Sequence, residues 1–141
     1  MKKSIERKIK SVEERLERLS ALSESLPSFE NYQASTDKKD IAERNIQVAI
    51  ETCLDIGKII ISSKKLSEPK DNKGIFIVLS EAGYLTSESL SFMVPMAGTR
   101  NILVHGYDKV DDGLIFGILK RHLIDFFMFL KQIRDNYLMK I

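Results

Sequence analysis

Residues 4–26 carry Ile5, Ile9, Val12, Leu16, Leu19 and Leu26 in steps of four and three. That spacing puts every apolar side chain on one stripe of an α-helix and matches no strand, whose faces alternate every second residue. Glu13, Glu14, Arg15, Glu17 and Arg18 fill the intervening positions as a solvated face, and Pro27 stops the helix. A second stripe follows over 37–62. Ala42, Ile46, Ala49, Cys53, Ile56 and Ile60 repeat the spacing, and Ile50 and Leu54 widen it, as expected for a helix with more than one neighbour. Between the two helices, "FENYQASTDKK" reads as a polar connection.

The rest of the chain continues in the same way. "IFIVLSEAG" (75–83) has the length of a short helix or a strand. Helix is the better reading, because a strand here has no partner and Gly83 suits a C-terminal cap. Thr86 or Ser87 can cap the next helix, with Glu88 in its first turn, over 87–104. Pro95 lacks the N–H that would bond Ser91, so a kink is expected, and Gly98 leaves room for a neighbouring backbone. Asp111 or Asp112 caps a last helix rich in Leu114, Ile118, Leu119, Leu123, Phe126, Phe127 and Leu130. The fold expected is all-α: one domain over residues 1–141, an antiparallel bundle of four long helices and one short one.

Composition narrows the function. A net charge of +2 neither requires nor opposes a local basic patch. One cysteine, Cys53, permits no internal disulfide and fits a reducing cytoplasm. "MKKSIERKIKSVEERL" is basic without an apolar core, so no secretory signal is expected, and no apolar run is long enough for a membrane span. Two scattered histidines and one cysteine suggest no metal site, and no Gly-rich phosphate loop suggests a nucleotide cofactor.

One segment stands apart. "RNILVHGY" places Arg100, Asn101, His105 and Tyr107 within eight residues. Arginine is a permanently charged fork suited to phosphate oxygens. Histidine as a residue type can serve as general acid or base near neutral pH. Together they suit RNA cleavage: a ribose 2′-OH loses its proton, the phosphate gains charge stabilisation and the leaving 5′-oxygen gains a proton. On an ideal helix five residues turn through about 500°, so Arg100 and His105 would not share a face. A helix ending near Val104 would let His105 swing beside Arg100. One histidine does not conveniently hold both proton roles at once; two chains could, if their Arg100–His105 segments met across a two-fold axis. From residue types alone, Arg100 and His105 could equally cap a helix end, and Tyr107 could be a half-buried surface residue. His122 reads as polar-face or core-edge, and Cys53 as a small core hydrophobe. Lys58, Lys64, Lys65, Lys70 and Lys73 form either solvated surface or an RNA-contacting edge.

Arg100-Asn101-x-x-x-His105-x-Tyr107 resembles the R-x4-6-H-x-Y motif of HepT-like toxins in the HEPN superfamily of helical nucleases. "ERNIQVAIETCLDIGKIII" and "GYLTSESLSFMVPMAGTRNILVHGYDKVD" resemble that family's second long helix and its motif-bearing helix. The resemblance implies a dimeric, metal-independent ribonuclease toxin without a cofactor, paired with a minimal nucleotidyltransferase antitoxin of the MntA type. It implies Arg100 and His105 as catalytic, Tyr107 as the site of AMP addition, and Asn101 and Asp55 as supporting residues. Gly57-Lys58 departs from a more usual Asn-His pair. The alternative function is a non-catalytic helical module that binds such a nucleotidyltransferase.

Overall fold

The computed structural model describes residues 1–106 and 110–139, and its regular elements are all helical. Helix α1 spans Lys2–Glu24, α2 Phe29–Ala34, α3 Thr36–Ser63, α4 Asn72–Glu81 and α5 Ser87–His105. The last run comprises α6 (Asp112–Gly117), a π-helical turn (Ile118–His122), α7 (Leu123–Ile133) and a second π-helical turn (Arg134–Leu138). The four long helical runs are therefore those expected. No helix among the described residues is long and apolar enough to cross a membrane.

The α1 and α3 stripes face each other. Ile5, Ile9, Val12, Leu16 and Leu19 of α1 are fully buried, as are Ala42, Ile46, Ala49, Ile50, Cys53, Ile56 and Ile60 of α3. Burial pushes the Cys53 thiol far above its ordinary range, so it packs as an inert hydrophobe. Phe76 of α4 and Phe129 of α7 meet edge to face, with centroids 5.6 Å apart, inside the same core cluster.

Local chemistry sets the helix boundaries. Ser35 caps α3 by accepting from the Lys38 amide, Thr86 caps α5 from Ser89, and Asp111 caps α6 from Gly113 and Leu114. Helix α4 starts earlier than the apolar run, because Asp71 caps it by accepting from the Gly74 amide at 2.8 Å. It ends at Gly83, whose φ of 88° permits the Gly83 N–H to reach Ser80 and the Tyr84 N–H to reach Leu79. Helix α5 continues without interruption across Pro95.

Two expectations need correction. The segment after Pro27 is not a plain connection: Ser28 caps α2, and Tyr32 is fully buried with its ring 5.7 Å from Phe116. One aromatic inserted into the bundle end is enough to fold six residues that show no helical stripe. Gly98 also brings no backbone close, since a Cβ there would meet only the Lys73 side chain. The close approach is at Gly57, where any Cβ on α3 would collide with Ile75 of α4. Glycine at 57 lets α4 lie against α3.

Candidate functional site: a cleft between α3 and α5

Arg100 lies near the end of α5, half-buried, with its guanidinium turned toward α3. Its Nε donates to Glu51 Oε2 at 3.1 Å, and Nη1 donates a longer bond to Asn101 Oδ1 at 3.4 Å. Glu51 sits 49 positions earlier in the chain. A guanidinium has five N–H donors. Two are used here, so the Nη2 end keeps its donors for a ligand.

Around this group is an open cleft of about 370 Å³ lined by Glu51, Leu54, Asp55, Lys58, Asn72 and Arg100. Asp55 lines the cleft, but Glu51 and not Asp55 takes the arginine. Glu51 was missed in the sequence. Its signal was present: Glu51, Asp55 and Lys58 recur at i, i+4 and i+7 on the polar side of α3, which places them on one face.

His105 is the last residue of α5 and is exposed. The helix extends one residue further than expected, so His105 stays in helical register and no hydrogen bond joins it to Arg100. The turn closes with the Gly106 N–H donating to Ile102 O at 2.7 Å, and a Cβ at Gly106 would collide with that carbonyl. His105 thus stands at the C-terminal end of α5, open to solvent. Tyr107 lies outside the described residues.

The second histidine serves a different structure. His122 Nδ1 and Asp125 Oδ2 are 2.9 Å apart, with Asp125 only 4% exposed, beside a mainly apolar hollow between α5 and the last helical run. Among the described residues, no three His, Cys, Asp or Glu side chains gather as a metal site.

The chain is thus an all-α bundle with a pinned arginine at a polar cleft and an exposed histidine on the same helix. Comparison with known proteins makes the class specific. A family model described as "Ribonuclease HepT-like" matches residues 12–133. The chain belongs to this HepT-like family.

It is 31% identical over 135 residues to the tRNA nuclease HepT of Aphanizomenon flos-aquae, covering 92% of this chain and 91% of that protein. It is 29% identical over 90 residues to the mRNA nuclease HepT of Shewanella oneidensis, covering 64% and 68%. Among solved structures, the fold matches the tri-AMPylated HEPN toxin of Shewanella oneidensis in complex with MNT antitoxin. The TM-score is 0.84 at 23% identity, over 94% of this chain and 97% of that one.

Proposed function

We propose that this chain is a metal-independent endoribonuclease toxin that cuts RNA through Arg100 and His105. The observation that carries the reading is the state of Arg100: it is held at Nε by Glu51 while its outer end stays available at an open cleft. Such an arginine is already oriented for a phosphodiester, so stabilising the charge that develops there costs little reorganisation.

The reaction follows from the residues. A His105 imidazole takes the proton of the ribose 2′-OH, and the freed oxygen attacks the neighbouring phosphorus. The P–O5′ bond breaks, leaving a 2′,3′-cyclic phosphate on one fragment. A second imidazole, protonated, gives its proton to the departing 5′-oxygen. Arg100 neutralises the phosphate as charge builds. One helix carries one such histidine, five residues from Arg100 and in helical register, about 140° round the axis. A homodimer that brings two α5 ends together supplies both imidazoles. Asn101 steadies Arg100, and Asp55 supplies local field in the cleft.

The family and the complexes of its relatives support a minimal nucleotidyltransferase antitoxin of the MntA type as partner, with Tyr107 as the residue it modifies with AMP. Tyr107 follows His105 by two positions, so a nucleotide added there would crowd the catalytic end of α5.

The test is cleavage of transfer RNA and bulk RNA in EDTA by protein freed of any antitoxin, beside its His105→Ala variant. The expected result is cutting by the parent to cyclic-phosphate ends and a loss of about a hundredfold or more in the variant. Equal cutting by both would remove His105 from the mechanism. Cutting by neither, with Tyr107 unmodified by mass, would favour the non-catalytic partner module.

A further inference from the structure

Beside the Arg100 cleft lies a second, larger one of about 530 Å³, between the end of α3, the loop 64–71 and the start of α4. The two share Lys58 and Asn72 as wall residues, so they adjoin there. We propose that this joint groove seats the RNA strand beside the cut bond. Lys58 takes the adjacent phosphodiester, and Lys65 and Lys70 take those further out. This inference rests on the ribonuclease reading.

The structure sorts the five clustered lysines. Lys64 is drawn away to the Tyr137 ring, 5.7 Å from its centroid. The Lys73 stem lies beside Gly98 of α5. Lys58, Lys65 and Lys70 remain exposed on the groove, and none forms an ion pair among the described residues. Glu68 and Asp71 line the same cleft, but Asp71 is tied to the cap of α4 through the Gly74 amide. Across the joint groove Arg100 and three unpaired lysines thus stand against four carboxylates, of which Glu51 is bound to Arg100 and Asp71 to the α4 cap, leaving Asp55 and Glu68.

Lys65 ends α3 with φ at 54°, in the left-handed region. The Leu66 N–H reaches Ile61 O at 2.9 Å and the Lys65 N–H reaches Ser62 O at 3.3 Å. This is the same closure that Gly83 makes for α4, where glycine avoids the steric cost. Here a lysine takes that position, and its long cation lies at the rim of the groove.

A phosphodiester backbone suits this surface better than a small anion. The groove is open, its lysine donors are on flexible stems, and it adjoins the cleft of the arginine that would hold the cut phosphate. Lysines on single-stranded RNA act by releasing condensed counterions, each contact steepening the salt dependence by about 0.7.

The experiment measures binding of fluorescein-labelled transfer RNA in EDTA across a salt series, using the non-cutting His105→Ala protein as parent. Adding Lys58→Ala, Lys65→Gly and Lys70→Ala together should weaken binding about tenfold and flatten the salt slope by about two. Lys131→Ala, on α7 and paired with Asp135, should change neither. Lys65→Gly alone should raise the melting temperature while weakening binding, an opposition that a merely structural lysine does not produce. In otherwise wild-type protein the triple variant should raise KM and leave kcat within roughly twofold, since removing uniform binding affects only KM. Unchanged affinity and slope in the triple variant, with cutting by the wild type intact, would overturn the groove and leave the nuclease reading standing. That result would point to an acidic protein surface as its occupant. A wild-type protein that neither binds nor cuts RNA would overturn both.

Discussion

Two arginines in this molecule each pair with a glutamate, and the pairs differ in what they leave over. Arg134, at the end of the last helical run, grips Glu13 of α1 with both ends of its fork. Nη1 donates to Oε2 and Nη2 to Oε1, each at 2.9 Å. Its hydrogen bonds hold the Glu13 carboxyl below its ordinary range, against the opposing effect of burial. Arg100 is held by a single bond at Nε and a long one to its neighbour Asn101. The first pair points the fork inward at another helix. The second spends only the side of the fork and leaves its end for something outside the protein. On the proposed reading, a structural arginine and a binding arginine are told apart by which donors remain, and exposure does not do it: Arg134 is the more exposed, at 44% against 27%.

The comparison can be broken experimentally. The largest effect is expected from Arg100→Lys, which keeps the charge but removes the planar fork. RNA cleavage should fall by on the order of a hundredfold, the scale of one lost transition-state donor, with an unchanged circular dichroism spectrum. Near-normal cleavage by the lysine variant would mean that charge alone matters and that the free Nη2 end has no role.

Glu51→Gln comes next. The amide oxygen still accepts from Nε, so Arg100 stays in place with a weaker tether. A loss in kcat of less than about tenfold is expected, and Glu51→Ala should lose more, since it removes the acceptor altogether. Identical kinetics for the two variants would show that Glu51 does not position Arg100.

The smallest effect belongs to the structural pair. Arg134→Ala should cost about 0.5 kcal/mol once solvent screening is allowed for, read as a shift of a few degrees or less in Tm. Cleavage per folded molecule should not change. Acid should reproduce the loss. Glu13 has a depressed folded-state pKa, so its contribution is present above the ordinary carboxylate value and disappears as pH falls through the folded value. Glu43 acts in the opposite sense: burial raises its pKa, with Asp40 and Asp112 adding to the rise, so its protonation favours the fold as pH falls. The Tm difference between wild type and Arg134→Ala should therefore shrink below pH 4.5, and a constant difference down to pH 2 would remove Glu13 from the account.

Much of the fold was legible because it depends on near neighbours. An apolar side chain every three or four residues defines a helix and its buried face with no knowledge of what covers it, and the α1 and α3 stripes are buried as read. Thr86, Asp111 and Gly83 mark helix ends by bonding within a few residues of themselves. The R-N-x-x-x-H-x-Y segment was legible for the same reason, as a local pattern.

Tertiary structure decided the rest. It chose Glu51, 49 residues from Arg100, over the equally acidic Asp55 one turn away. It folded Phe29–Ala34 by burying Tyr32 against Phe116, and it required glycine at 57 because Ile75 fills the space a side chain would need. It sent Lys64 to a tyrosine ring and kept Lys65 on the groove. The physical reason is common to all four. Helical periodicity and capping act over three or four residues, whereas ion pairing, close packing and groove formation depend on distances in space that the spacing along a chain does not contain.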